Sequence, residues 1–376
     1  MKREAGRLPF IDFGRGVVMV LMAWDHVSAF WNPGRRGNEG LMGMRPAFPD
    51  QTQFLLRFVT HFAAPTFIFL AGTSLALSTG KRLARGQSQG SVSLRMVVRG
   101  VVLLGLEALL VAPAFDLPPT YFGVIACIGV CLILFSALRF APPPAILVLS
   151  AVIILGHPFL NLDFIPGGPG APLGHYLRVI LHEPGFEVRH WVGLYPVIPW
   201  LGVMGLGWCF GVSLGNFDRA RATRLAVSLA LAGVASWCGW FVVRLANGYG
   251  NLLPRVDNSL QGWLTMSKYP PSLAFLLFTL GGTALFLALG IVLQERSALS
   301  RGLGGAITAL GRVPLFFYVT HLWVYQLLPL PFVLLLDAPL LATAAAWAVG
   351  LVTLWVLCVQ YARLKRRYPR SVLQYV

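Results

Sequence analysis

The chain has 376 residues, of which 56% are apolar and only 12% charged, with a formal net charge of +16. A soluble domain usually carries about 25% charged residues, so this composition excludes an ordinary water-covered surface. It also excludes a nucleic-acid module, because no soluble basic face with interleaved aromatics is present.

A bilayer-spanning helix needs roughly 20 largely apolar residues. Ten such stretches follow one another, at 11–31, 53–78, 95–113, 121–138, 144–160, 194–214, 225–246, 272–293, 313–331 and 339–361. The mean hydropathy of +0.70 shows that the apolar excess is spread along the chain. The expectation is an all-α, polytopic integral membrane helix bundle of about ten transmembrane helices. No charged low-complexity linker divides it, so residues 1–376 read as one domain.

Short cytoplasmic loops collect Lys and Arg. With the N-terminus inside, the inner segments hold Lys2, Arg3 and Arg7; Lys81, Arg82, Arg85, Arg95 and Arg99; Arg139; Arg219, Arg221 and Arg224; Arg296, Arg301 and Arg312; and Arg363, Lys365, Arg366, Arg367 and Arg370. That is twenty of the 30 basic residues, so both termini are expected on the cytoplasmic side. The positive charge then reads as orientation by anionic inner-leaflet lipid.

The five cysteines (Cys127, Cys131, Cys209, Cys238 and Cys358) all fall in expected spans, which argues against a disulfide framework. Cys127 and Cys131 share a helix face but lack a third ligand nearby, so they read as packing and no metal is expected. The basic start and apolar run at 11–31 mimic a signal peptide, but Asp25 and His26 interrupt it and cleavage is not expected. Gly202, Gly205, Gly207, Gly211, Gly281 and Gly282 have the spacing that lets helix backbones approach.

The longest outer segment, 158–193, carries Asp163, His175, Arg178, His182, Glu183, Glu187, Arg189 and His190. Its first half, IPGGPGAPLG, reads as irregular backbone, and its second half as a short interfacial helix. Other polar outer segments are 32–52 and 247–271, the latter with Arg255, Asp257 and Lys268.

Ionisable groups inside a span cost about 2.5–3.5 kcal/mol each on insertion scales, so each needs a reason. The first span holds Asp12, Arg15, Asp25 and His26. Positions 12, 15, 19, 22 and 26 step by three and four, which puts Asp12, Arg15, Met19, Met22 and His26 on one helix stripe. Eleven residues separate Arg15 from His26, about 16 Å of helical rise. Arg15 is thus placed toward the cytoplasm and His26 in the outer half. Asp25 can orient His26 and raise its basicity, which suits a general base; alternatively both pair structurally at the outer interface. The second span brings Arg57 and His61 to a similar depth, where His61 can form the second half of a site or hydrogen-bond a carbonyl. For Glu107 and His321 an interhelical hydrogen bond is the leading expectation.

The run RLPFIDFGRGVVMVLMAWDH, followed by HFAAPTFIFLAGTSLALS, resembles the transmembrane acyltransferases related to heparan-alpha-glucosaminide N-acetyltransferase. LYPVIPWLGVMGLG, KYPPSLAFLLFTLG and GRVPLFFYVTHL are similar to later segments of its uncharacterised bacterial branch, so the resemblance spans nearly the whole chain. The Arg15-x10-His26 spacing also matches an Arg-x10-His pattern of membrane O-acyltransferases. The resemblance implies a bundle that takes an acyl group, usually acetyl, from cytoplasmic acyl-CoA to an amine or hydroxyl on the outer side. It puts His26 where the family's first-span polar catalytic residue lies. The heparan-type enzymes also use a histidine in an outer segment after the first span, and here 32–52 contains none.

Together with the residues, the resemblance implies an acetyl-CoA-dependent N- or O-acetyltransferase of a bacterial inner membrane. The expected acceptor is an extracytoplasmic amino sugar or glycan, with membrane lipids as further expected partners and a homo-oligomer left open. His26, Asp25 and His61 are the expected catalytic residues; Arg15, Asp12, Arg99 and Arg312 are expected to hold acetyl-CoA. A proton-coupled secondary transporter using buried His and Asp is the alternative, although no repeat joins the two halves. A non-catalytic scaffold would bind no CoA.

Overall fold

The computed structural model describes residues 8–166, 172–187, 191–215, 217, 219–328, 331, 336, 338–369, 371 and 373. Lys2, Arg3, Arg7, Arg189, His190 and Arg370 lie outside them. Helix α1 spans Pro9–Trp31, α2 Gln51–Leu83, α3 Gln89–Ala114, α4 Val124–Leu138 and α5 Pro143–Phe159. The short helix α6, Pro172–Leu181, leads to an antiparallel hairpin of β1, Gly185–Glu187, and β2, Trp191–Gly193. Helices α7, Val197–Ser213, and α8, Ala222–Ala246, follow. A single-turn-scale helix, α9, Leu260–Leu264, precedes α10, Leu273–Glu295. Helices α11, Gly302–Leu310, α12, Pro314–Leu327, and α13, Pro339–Arg367, complete the order.

The helix boundaries have local causes. Pro9 opens α1, where its missing N–H is an orphan in any case. The Asp50 carboxylate accepts from Gln53 N at 2.8 Å and caps α2. Ser88 and Ser272 cap α3 and α10 in the same way. Within α2 the chain tightens to a 3-10 turn at Val59–Phe62, just before Pro65. Within α3 a π turn at Glu107–Val111 precedes Pro113.

Each of the ten expected windows holds a helix, and the chain is an all-α membrane helix bundle. Among the described residues, five helices can cross a membrane by length and composition: α2, α3, α8, α10 and α13. Helix α1 is long enough at 23 residues but carries Asp12, Arg15 and Asp25. Helices α4, α5 and α7 are shorter apolar helices. Two details depart from expectation. The ninth window holds α12, but a separate short helix, α11, precedes it and meets it at a bend of 92°. In the outer segment 158–193 the helix lies in the middle and the second half is the hairpin.

Helix α1 sits at the centre and packs on α2, α10, α11, α12 and α13. Two of its approaches depend on glycine: a Cβ on Gly16 would overlap the Ile307 carbonyl oxygen, and one on Gly311 would overlap that of Asp12. The α2–α7 contact uses the same device at Gly72 and Gly207, so the small-residue stripe of α7 is packing. Cys127 and Cys131 are free and buried in α4. Helix α10 is half buried in its apolar window, whereas little of the α8 window is fully buried, although α8 packs along α10.

Candidate active site

The stripe on α1 opens onto a cavity of about 440 Å³. Ligand pockets of drug-sized molecules run from about 300 to 1,000 Å³, so this volume can take a small substrate. Arg15, Met22 and His26 line it from the stripe, while Met19 and Asp12 are buried beside it. Because Arg15 and His26 are eleven residues apart on one straight-run helix, the cavity follows α1 for about 16 Å. Arg99 of α3 and Ser74 of α2 join Arg15 at one end; Asp25, Arg35, Asn38 and Lys268 join His26 at the other. Apolar and aromatic groups, among them Phe115, Tyr121, Tyr195 and Tyr318, line the walls between.

At the Arg15 end, Arg15 Nη1 donates to Asp12 Oδ1 at 3.0 Å. Arg15 Nη2 donates to Ser74 Oγ, which in turn donates to the Leu70 carbonyl at 2.6 Å. The guanidinium is therefore aimed by a carboxylate one turn below it and by a hydroxyl on the neighbouring helix. Arg312 lies at the bend between α11 and α12 and does not line the cavity.

At the other end, His26 Nδ1 lies 2.7 Å from His321 Nε2 on α12. The two rings stack at 4.9 Å between centroids, and Phe115 meets His26 edge-on at 5.4 Å. His321 is fully buried. Its expected interhelical hydrogen bond is present, and its partner is His26.

Asp25 faces away from His26 toward cations. Arg57 Nη1 donates to both Asp25 oxygens at 2.7 Å, and Arg35 Nη2 donates to Oδ1 at 3.0 Å. The rest of the Arg57 fork grips Glu39: Nε to Oε1 at 2.8 Å and Nη2 to Oε2 at 2.7 Å. Such bidentate, charge-assisted pairs fix orientation as well as energy. The Glu39 carbonyl accepts from Lys268 N at 2.9 Å and Tyr269 N at 3.2 Å. One arginine thus ties α1, the loop after it, α2 and the segment before α10 together. Burial would raise the Glu39 carboxyl, but Arg57 and His61 beside it hold it well below the ordinary carboxylate value.

The expected roles are redistributed by this geometry. His61 does not line the cavity; it is buried 3.4 Å from Glu39 Oε1. The reason is the Glu39 carboxylate of the loop after α1, which draws Arg57 and His61 to itself. His321 takes the place next to His26 that His61 was expected to fill. Asp25 lines the cavity, but its oxygens serve Arg57 and Arg35, so the imidazole is oriented by His321 instead. Glu107 accepts from Ala126 N at 2.7 Å and caps α4, the interhelical hydrogen bond expected of it.

Lys268 was visible in the sequence only as a charge in an outer segment. It is 4% exposed, lines the cavity, and places Nζ 5.2 Å from the Tyr269 ring centroid and 5.9 Å from that of Tyr195. A lysine immediately before Tyr-Pro-Pro at a helix entry was the available signal. A second histidine pair, His157 Nδ1 and His182 Nε2 at 3.2 Å, lies away from this cavity. Among the described residues no group of three His, Cys, Asp or Glu is placed to hold a metal ion.

Residues 7–241 match the family described as heparan-alpha-glucosaminide N-acetyltransferase, catalytic. Among curated proteins none matches the chain. The matched segment contains Arg15, Asp25, His26, Arg57, Ser74 and Arg99, whereas Lys268 and His321 lie beyond it. With more than half of its length matched, the chain belongs to the heparan-alpha-glucosaminide N-acetyltransferase catalytic family, a family of membrane acetyltransferases.

Proposed function

We propose that this acetyltransferase takes an acetyl group from acetyl-CoA at the cytoplasmic face and passes it to an extracytoplasmic amino sugar or glycan. The observation that carries the reading is one cavity with arginines at one end and an imidazole about 16 Å along the same helix. The positive-inside distribution supports placing Arg15 and Arg99 toward the cytoplasm and His26 toward the opposite side. A bacterial inner membrane fits that distribution.

Arg15 and Arg99 suit the phosphates of CoA, because guanidinium groups bind phosphate in paired, charge-assisted hydrogen bonds. The thioester end of the donor would then extend along α1 to His26. There the acceptor N–H or O–H gives its proton to the His26 ring as its lone pair attacks the acetyl carbonyl carbon. The carbonyl oxygen gains negative charge, for which Lys268 and Arg35 supply positive charge in the same end of the cavity. When the C–S bond breaks, the CoA thiolate leaves and takes up the proton that His26 held. Asp25 acts on this scheme by fixing Arg35 and Arg57.

The test is release of free CoA by the purified protein given acetyl-CoA and a panel of amino sugars. His26→Ala is expected to lower turnover by about 10²–10⁴-fold, the usual worth of a general base. Undiminished turnover in that variant would remove His26 from the chemistry. Solute uptake by reconstituted vesicles without CoA release would favour the transporter alternative.

A further inference from the structure

We infer that His321 is a positioning residue that holds His26 as its Nδ1–H tautomer, leaving Nε2 as the basic nitrogen that meets the acceptor. This rests on the transferase reading for its consequence, though not for its geometry.

The assignment follows from one carbonyl. His321 Nδ1 lies 3.0 Å from the Phe317 carbonyl oxygen, one helical turn back on α12. A carbonyl only accepts, so His321 Nδ1 carries a hydrogen. His321 is 0% exposed, and its ring is surrounded by Phe317, Tyr318 and Tyr325. Its hydrogen-bond partners are the Phe317 and Tyr318 backbones and an imidazole, and no carboxylate forms an ion pair with it among the described residues. A second ring hydrogen would place an uncompensated charge in a fully buried site. The ring is therefore neutral, and its Nε2 is an acceptor.

His26 Nδ1 sits 2.7 Å from that acceptor, so His26 Nδ1 must donate. Neutral imidazole carries one ring hydrogen, and the bare nitrogen of His26 is then Nε2. His26 is only half buried and lines the cavity, while its Nδ1 edge is covered by His321. Phe317 carbonyl, His321 and His26 thus form a chain of fixed direction, in which a backbone dipole does what a carboxylate does elsewhere. When His26 takes the acceptor's proton on Nε2, its Nδ1–H still points at a neutral acceptor. No proton passes to His321, and the ring is ready to return its proton to the departing thiolate.

The experiment uses the full chain in lipid bilayers with ¹⁵N-labelled histidine, read by long-range ¹H–¹⁵N magnetic resonance at neutral pH. His26 is assigned from the signal that His26→Asn removes. The expected result is a protonated Nδ1 and a bare Nε2 on His26 in the wild type. His321→Leu is expected to lose that single tautomer and to lower kcat at least about tenfold, with KM for acetyl-CoA changed less than about twofold. His321→Gln, whose amide oxygen can accept from Nδ1, is expected to restore the tautomer and most of kcat. A wild-type His26 protonated on Nε2 overturns the inference whatever the variants do. So does a His321→Leu protein with wild-type kcat. The resonance measurement needs no turnover, so an inactive wild type with the expected tautomer would sink the transferase reading alone, and an active one with the opposite tautomer would sink this inference alone.

Discussion

The two ends of the cavity are built by opposite means. At the His26 end, charges of both signs are locked together: Arg57 reaches both Asp25 and Glu39, and Arg35 adds a third contact. Backbone groups of Lys268 and Tyr269 close the same network through the Glu39 carbonyl. At the Arg15 end, Asp12 is the carboxylate paired with Arg15, and Ser74 supplies a neutral contact. The first arrangement gives a rigid wall against which an imidazole can be held. The second leaves cationic character facing the cavity, which suits a ligand that brings its own negative charge. A site that must bind an anion and also do proton chemistry needs both, at a distance from one another.

That contrast can be broken by substitution at either end. The largest effect is expected at Arg57. Arg57→Met leaves Asp25 and Glu39 as buried carboxylates with fewer cations, and breaking such a network costs about 3–5 kcal/mol. Thermal unfolding in a fixed detergent should show a large loss of stability with acetyl-CoA affinity lost alongside it. An Arg57→Met protein as stable as wild type would show that the network is not what holds this end of the cavity.

A smaller and more selective effect is expected at the other end. Arg99→Gln removes a charge-assisted partner for a phosphate, worth about 1.5–3 kcal/mol. That is roughly a 10–150-fold rise in the Kd for acetyl-CoA, measured by titration calorimetry, with stability close to wild type. Unchanged affinity would detach the donor from this end of the cavity.

The smallest effect is on acid tolerance. The Glu39 carboxyl is held below its ordinary value, so its ionised form stabilises the fold above the unfolded-state value of about 4.3. That stability is fully present above about pH 4.3 and is lost as pH falls through the depressed folded value. Glu39→Gln should therefore lower the melting temperature at neutral pH and flatten its decline below about pH 4. An equally steep decline in the variant would place the acid-sensitive group elsewhere.

Much of this architecture was legible in the residues, for physical reasons. Long apolar runs favour packed helices, so a helix in each of the ten windows was legible from hydropathy, though five of those helices qualify as spans among the described residues, and a polar stripe at steps of three and four marked the cavity side of α1. From that stripe, Arg15, Met22 and His26 line the cavity. What could not be read was which helix faces them. His26 and His321 are 295 residues apart, and no local pattern links them. His61 is at the right depth, but a carboxylate in the loop after α1 captures it through a contact of 3.4 Å. The short helix α11 was missed because its nine residues fall below span length and the chain turns by 92° before α12. Arg312, one of the basic residues at that turn, was grouped with the donor site by charge alone and lies off the cavity.

The most direct measurement is a density map of the full chain with acetyl-CoA bound. The account predicts CoA phosphates beside Arg15 and Arg99 and the thioester carbonyl beside His26 Nε2, with Lys268 and Arg35 facing its oxygen. A donor seated outside the cavity, or with its thioester at the Arg15 end and its phosphates toward His26, would contradict it.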